Sequence, residues 1–285
     1  MTEHKSEVMA GNRFEFGANW AHFLSVLDDT RILAAEESLK EMLGIETLEG
    51  HRFLDAGSGS GLFSLAARRL GARVHSFDFD PESVDCTMEL KRRYFPDDED
   101  WVIEEASVLD KNHLETLGQF DVVYSWGVLH HTGAMWVGIE SVVSRVSKGG
   151  EIYIAIYNDQ GWKSHIWWLI KFIYNKLPRP LNKVYGYSFG FLSQLFVLVK
   201  YSLKLQPMTV IRPWVCYKKE SRGMSMLHDM IDWVGGFPFE FATYDVLQDY
   251  FSTRDFELIT GKQASSLGCH EMVFRKKISN NSRQH

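Results

Sequence analysis

His51-Arg52-Phe53-Leu54-Asp55-Ala56-Gly57-Ser58-Gly59-Ser60-Gly61 is the stretch that decides the fold. An apolar pair, Phe53 and Leu54, runs into Asp55. Three glycines follow at alternate positions, and then an amphipathic run with Leu62, Phe63, Leu65 and Ala66. The pattern predicts a buried strand, a tight loop and the start of a helix. Glycine allows loop torsions that side chains forbid, and it lets a ligand approach the backbone closely. Free N–H groups at a helix start favour an acidic or polar ligand group. Many strand–loop–helix turns share part of this pattern, and a lone Gly-x-Gly-x-x-Gly points only weakly to a dinucleotide. Here the spacing is Gly-x-Gly-x-Gly, Leu stands at 62, and Asp55 precedes the glycines.

Downstream, Ala72 to Phe77 predicts a second strand ending in Asp78, 17 residues beyond Gly61. That is close to the spacing at which a βαβ unit brings its second strand end beside the first loop. A carboxylate there can accept hydrogen bonds from two ribose hydroxyls. Asp80 and Pro81 fit a helix N-cap and first-turn proline, which gives Asp80 a structural role. Trp101 to Glu105 is a third strand, followed by Ala106-Ser107-Val108-Leu109-Asp110. Phe120 to Ser125 is a fourth, and Trp126-Gly127-Val128-Leu129-His130-His131 leaves it. Open α/β sheets bind ligands at the carboxyl ends of their parallel strands. After a helical face (Trp136, Ile139, Val143, Val146), Lys148-Gly149-Gly150 turns the chain into a fifth strand, Glu151 to Tyr157. Asp255 to Thr260 and His270 to Phe274 can form a closing antiparallel hairpin.

From residue 51 to 157 the chain resembles the class I S-adenosylmethionine-dependent methyltransferases. The glycine loop behind Asp55, the acidic strand end at Asp78 and the Gly-Gly turn before the fifth strand carry the likeness. The nearest type is the ubiquinone-biosynthesis O-methyltransferase group, through the nucleotide-binding core and the Leu129-His130-His131 loop. The resemblance implies a Rossmann-like α/β sandwich with a mostly parallel seven-stranded sheet, one strand antiparallel. It implies S-adenosyl-L-methionine as cofactor, held by Asp55, Gly57, Ser58, Gly59 and Gly61. Asp78 would take the ribose, Phe79 would pack on the adenine, and the loop carrying Trp126 would lie beside the methyl donor. In the family the loop after the third strand edges the adenine, and an acidic residue is common where Ser107 stands. That departure leaves open whether Ser107, the Val108 backbone or Asp110 meets the exocyclic amine. N-terminal helices often form a lid in such proteins. Phe16, Trp20, Phe23 and Leu27 recur at helical spacing, so they form a helix that caps the sheet or one that also closes Trp20 over the cofactor. Residues 1 to 10 are expected to be mobile, and a second helix is expected from Thr30 to Leu43.

The 285 residues suffice for one domain with a substantial insertion. Hydrophobic residues make up 45% and charged residues 24%, the balance of an ordinary globular chain with a sizeable core. Aromatics reach 14%, which suggests an apolar or stacking pocket or an interfacial surface. Cys86, Cys216 and Cys269 are too far apart for a disulfide framework or a zinc knuckle. The polar, charged start shows no signal peptide, and no apolar run is long enough for a transmembrane helix. A reducing cytosol fits. The expected division is an N-terminal helical cap (1–45), a cofactor-binding core (46–157), a helical insertion (158–241), and a C-terminal helix with the closing hairpin (242–285).

The insertion is the least generic part. From Asp159 to Gly223 there are 11 Lys and Arg against 2 Asp and Glu, a balance of +9 within a net charge of −6. Aromatic residues alternate there with lysines, and Pro178 and Pro180 break the stretch into helical pieces. Three readings are open: a lid with its apolar face on the sheet and lysines outward, a lid that also meets a lipophilic acceptor or lies in a membrane interface at 159–223, and an RNA-binding face. RNA binding asks for a basic domain or stripe, and the overall acidity argues against nucleic acid. The protein is expected in the cytoplasm, or at the inner face of a membrane if the insertion docks there.

Methyl transfer from a sulfonium is an in-line displacement in which the protein aligns a nucleophile and excludes water. A hydroxyl or neutral nitrogen nucleophile must lose a proton, and histidine is the usual base. His131, and next to it His130, are the candidates; two adjacent histidines without a matched carboxylate are poor metal ligands. Tyr157 could line the substrate pocket and Asn158 could orient a hydroxyl, although Asn and Asp also favour plain turns. Arg222 could pair with an anionic substrate group, and His228 could share a helical face with Asp232. His270 is expected to be structural. The acceptor expected is a small or lipid-like molecule, methylated at oxygen, with sugar precursors open. An RNA methyltransferase and a non-catalytic cofactor-binding protein are the alternative classes, since fold does not fix function.

Overall fold

A computed structural model describes residues 2–25, 27–203, 231 and 233–278. Seven strands form one sheet in the order β3-β2-β1-β4-β5-β7-β6. These are β1 (Arg52–Ala56), β2 (Arg73–Asp78), β3 (Trp101–Glu105), β4 (Phe120–Trp126), β5 (Val146–Tyr157), β6 (Phe256–Lys262) and β7 (Cys269–Lys276). β1 to β5 are parallel, and β7 lies antiparallel between β5 and β6. The strand order reverses between β1 and β4, and a crevice opens above their carboxyl ends at such a reversal.

Both faces of the sheet are buried, because side chains alternate along each strand. Phe53, Val74, Trp101, Val122 and Tyr124 pack on one side with α3 (Asp29–Leu43), α4 (Leu62–Arg69) and α5 (Pro81–Tyr94). Leu54, Phe77, Val123, Ile152 and Ile154 pack on the other with α6 (Lys111–Thr116), α7 (Met135–Val143) and a later helix, Tyr244–Ser252. Burying a side chain of this size contributes roughly 1.5–3 kcal/mol. The near-continuous apolar runs of β4 and β5 therefore fix the sheet's centre. Asp80 caps α5, accepting from the Glu82 N–H at 3.0 Å with Pro81 at the first position, as the sequence suggests.

Three expectations are corrected. The start of the chain, expected to be mobile, holds a helix, α1 (Glu3–Met9), whose His4 is buried. The fifth strand begins at Val146, because Lys148-Gly149-Gly150 forms an irregularity inside it; Gly149 has φ +77° and the register shifts between Phe120 and Val122. The insertion begins with α8 (Trp162–Lys176) and α9 (Leu181–Leu203). On α8 the expected lysine-out arrangement holds for Lys163 and Lys176 but not for Lys171, which is buried, and the apolar Trp162, Ile166, Leu169 and Ile173 also face outward. α2 (Gly17–Ser25) provides the anticipated N-terminal aromatic helix. The helix Tyr244–Ser252 is α10 in chain order.

Candidate functional site

A cavity of about 600 Å³ lies at the carboxyl ends of β1, β2 and β4. The glycine loop forms its floor. Gly57 has φ +91°, and a Cβ there would sit 2.4 Å from the Val128 side chain, so the loop after β4 closes directly on it. Gly59 has φ +54° and lies under the Trp20 ring, which a Cβ would meet at 3.3 Å. Only glycine combines these torsions with that proximity. The Gly57 and Ser58 N–H groups donate to the Phe77 carbonyl at 2.9 and 3.0 Å, which ties the loop to the end of β2. Gly61, ahead of α4, gives that helix no side-chain cap.

Asp78 stands at the neighbouring strand end. Its Oδ2 accepts from the Gly59 N–H at 2.9 Å and its Oδ1 from the Asp80 N–H at 2.9 Å. The Phe79 N–H is a third donor to this carboxylate, whose two oxygens together offer about four acceptor sites, so capacity remains for a ligand hydroxyl. Burial pushes the Asp78 carboxyl up to about 6, against these N–H donors. Asp55 is deeper. Ser64 Oγ donates to Asp55 Oδ2 at 2.5 Å, Ser76 Oγ lies 2.7 Å from Ser64 Oγ, and the Trp101 indole N–H donates to Ser76 at 2.9 Å. Burial raises Asp55 to about 7, with the Ser64 bond opposing and the Asp78 charge adding.

The two histidines of the short 3₁₀ turn Leu129–His131 have different surroundings. His130 Nδ1 accepts from the Tyr157 N–H at 3.3 Å, and the ring lies 4.0 Å from that of Tyr157. Burial drives its pKa well down, the His131 and Lys171 charges add to this, and a bond to the Ala155 backbone opposes it. His130 is thus a neutral strut between the β4 loop and β5. His131 Nδ1 lies 2.6 Å from the Pro238 carbonyl. A carbonyl only accepts, so Nδ1 carries the hydrogen and Nε2 is left as the lone-pair nitrogen. Burial, then the Lys171 charge, lowers His131 to about 3 against the Pro238 bond.

The other predicted residues sort by position. Asp55, Gly57, Ser58, Gly59, Asp78, Phe79, Ser107, Val108, Trp126, Trp20, His130, His131 and Tyr157 all line the cavity. Asp110 does not; it caps α6, accepting from the His113 N–H. Asn158 is not in the wall either. Its amide donates to the Ala264 and Ser266 carbonyls at 3.2 and 3.1 Å, so it fastens the loop between β6 and β7. His270 also stands outside, accepting from the Ala264 N–H. Arg222, His228 and Asp232 lie outside the described residues. Among the described residues no group of three or more His, Cys, Asp or Glu is placed to hold a metal ion.

Sequence reasoning missed one wall. His4, Arg13 and Phe14 line the cavity together with Phe16, Trp20 and Phe23. The core holds this N-terminal segment through the Gly17 N–H, which donates to Asp80 Oδ2 at 2.8 Å, and through Arg13 Nη1, which donates to the His131 carbonyl at 2.9 Å. The Arg13 guanidinium also lies 4.9 Å from the centre of the Phe79 ring, a cation–π distance. On the other side Lys176 Nζ donates to the Ala10 carbonyl at 3.0 Å and the Phe14 N–H donates to the Phe237 carbonyl at 2.9 Å. Sequence spacing carries no signal for such contacts, since Arg13 and His131 are 118 positions apart. Lys171 is the second omission. It is 1% exposed, donates to the Trp233 carbonyl and lies 5.0 Å from the centre of the Phe239 ring.

Residues 54–152 match the model of a methyltransferase-domain family. A ubiquinone biosynthesis O-methyltransferase from Xanthomonas campestris pv. campestris (strain B100) is 31% identical over 111 residues, which is 39% of this chain and 45% of that protein. The match therefore spans less than half the length of that curated relative. Among solved structures, an O-methyltransferase family protein from Burkholderia thailandensis aligns with 12% identity and a TM-score of 0.51, covering 88% of this chain and 59% of the other. A magnesium protoporphyrin IX methyltransferase from Synechocystis PCC 6803, solved with bound SAH, aligns with 13% identity and a TM-score of 0.50, covering 86% and 83%. These structural likenesses bear on the fold alone.

Proposed function

We propose, from the premise that this chain belongs to the class I S-adenosylmethionine-dependent methyltransferases, that it carries a methyl group from that donor to the oxygen of a small, lipophilic acceptor. One observation carries the reading: the glycine loop, Asp78 and a His131 whose Nδ1 is taken by the Pro238 carbonyl share a single aromatic-walled cavity.

The residues fit the cofactor on structural grounds. Gly57 and Gly59 present bare backbone to the cavity, so a ligand can come close to the loop. The start of α4 has no side-chain cap, leaving N–H groups for a carboxylate. Asp78 would accept from the ribose hydroxyls on its remaining lone pairs. Phe79, Ser107 and Val108 would border the adenine. When bound, the cofactor supplies a methyl group on a positively charged sulfur, already activated for displacement.

The chain's own residues do the rest. Trp20, Phe16 and Trp126 exclude water and hold an apolar acceptor in line. Burial and the Lys171 charge keep His131 neutral, with Nε2 unprotonated, and also weaken it as a base; it is assigned the hydroxyl proton on its position in the cavity wall rather than on its basicity. His130 and the Pro238 carbonyl hold that ring in place. Tyr157 borders both histidines and forms the acceptor side of the wall.

Calorimetric titration with S-adenosylmethionine and S-adenosylhomocysteine, with NAD as control, tests the cofactor half. Micromolar binding of the first two without NAD is expected. Binding of NAD alone would move the assignment to an oxidoreductase. Incubation with labelled methyl donor and lipid or sugar fractions then tests the acceptor half; label in the organic phase is the expected outcome.

A further inference from the structure

The apolar side chains of α8 and α9 point the wrong way for a helical pair that only covers a core. On α8, Trp162, Ile166, Leu169 and Ile173 recur at i, i+4, i+7 and i+11, one stripe of a helix, and that stripe is exposed; Trp162 is 69% and Leu169 50% accessible. The opposite stripe carries Ser164, Lys171 and Tyr174, and it is buried. On α9, Leu181, Val184, Phe191, Leu195 and Val199 are exposed in the same manner, Phe191 at 62%. The inward faces of both helices are accounted for: Ile170, Tyr174, Tyr185 and Phe189 share a small cluster with Phe14 and Val234. The outward stripes have no such counterpart among the described residues. A continuous apolar face of this kind marks an interaction site on a protein that is otherwise water-facing.

Charge selects the partner. No Asp or Glu occurs from Gln160 to Lys219, whereas Lys and Arg number 10 over that span. Lys163 and Lys183 are exposed at the start of α8 and of α9, and the remainder of the chain is acidic. A basic, aromatic-rich face with an apolar stripe fits a surface that is apolar just below an anionic layer. It does not fit a crossing segment: no described helix is long and apolar enough to cross a membrane.

We propose that the outward face of α8 and α9 seats this protein on the surface of an anionic phospholipid bilayer. The helices lie in the interface, with Trp162, Leu169 and Phe191 entering the headgroup–acyl boundary and the lysines meeting lipid phosphates. This rests on composition and exposure, and it holds whether or not methyl transfer is the activity. If both hold, a lipophilic acceptor reaches the cavity from the layer on which the protein sits, because Lys171 and Trp233 connect α8 to the cavity wall.

The test is co-sedimentation of the full chain with vesicles of phosphatidylcholine alone and of phosphatidylcholine with phosphatidylglycerol, in low and high salt, read together with tryptophan fluorescence. Binding to the anionic vesicles, weakened by salt and accompanied by a blue shift, is expected. A double variant, Ile166→Glu with Leu169→Glu, lies on the exposed stripe away from the core; it should lower partitioning by about tenfold or more while S-adenosylmethionine binding is kept. Phe191→Glu should act in the same direction from the second helix. Absence of wild-type binding to anionic vesicles overturns the proposal, as does equal binding by the variants. A wild-type dimer in light scattering that these variants convert to monomer would also overturn it, assigning the face to a second copy of the chain. Loss of cofactor binding in the wild type with vesicle binding retained would count against the methyltransferase reading alone.

Discussion

The segment 51–157 and the segment 158–203 are both helix-forming or sheet-forming stretches rich in large apolar residues, yet they use them in opposite ways. In the first, Phe53, Leu54, Val123 and Ile154 are fully buried on the two faces of a sheet. In the second, Trp162, Ile166 and Leu169 of α8 are in solvent and a lysine is in the interior. Backbone requirements specify the core: a glycine pressed against Val128, a carboxylate that must end a strand, a proline after a cap. The insertion is specified by what it faces, and composition alone does not tell which face that is. The first region should therefore govern donor binding, and the second should govern stability and access without touching the donor.

Four substitutions sharpen or break that division, the strongest first. His131→Ala should lower the methyl-transfer rate by about 10²–10⁴-fold, the range for a positioned base, with donor affinity kept; single-turnover assays with labelled methyl donor measure it, and a full rate removes His131 as the base. Because burial holds this histidine neutral down to about 3, the rate profile should show no inflection near the ordinary imidazole value. Asp78→Ala should weaken donor binding by roughly a hundredfold, the cost of hydrogen bonds to a charged group. Unchanged affinity in calorimetry would remove the ribose assignment. The same carboxylate titrates at about 6, and its charged form is the acceptor. Donor affinity should therefore fall by up to about tenfold per pH unit below that value.

Lys171→Met tests the other side. It removes a buried donor from the Trp233 carbonyl and a charge near both histidines. Thermal unfolding should register a loss of about 1–3 kcal/mol, and the His131 ring, followed by NMR titration, should titrate at higher pH. Donor affinity should stay unchanged; a loss as large as that of Asp78→Ala would erase the division between the regions. The smallest effect expected is from Asp55→Asn, which keeps an acceptor for Ser64. The Asp55 carboxyl sits at about 7 in the folded chain, above its ordinary unfolded value near 4. The folded state therefore binds more protons between these values, and the group's stabilisation is lost as pH rises through about 7. The melting temperature of the donor-free wild type, taken relative to that of the variant at each pH, should fall as pH rises from about 4 to about 7; the variant carries the same histidines, so the difference isolates Asp55.

Most of the glycine-loop side of the cavity wall was legible because its determinants are local. Asp55, the glycines, Asp78 and Phe79 sit within one βαβ unit, where spacing fixes geometry. His130 and His131 were legible as a pair but not as individuals. Only the partners, the Tyr157 N–H for one and the Pro238 carbonyl for the other, distinguish the two rings and leave His131 as the proposed base. Asn158 misled because an asparagine after a strand serves a turn as well as a substrate, and here its amide is used by Ala264 and Ser266. His4, Arg13 and Lys171 left no local signature, since each works through a contact more than 60 positions away.

Asp80 was assigned as a helix cap, and it is one, but its second oxygen also holds the Gly17 amide while Phe237 holds that of Phe14. These two amides fasten the N-terminal wall to the cap of α5 on one hand and to the Phe237 carbonyl on the other. The wall is held noncovalently, by these amides and by the Arg13 and Lys176 side chains, so a ligand that leaves past it would loosen these contacts. In hydrogen–deuterium exchange, donor binding should slow the Phe14 and Gly17 amides in concert and leave the already protected amides of β1 unaltered. The exchange rate at these two positions then serves as a clock for how long the donor stays.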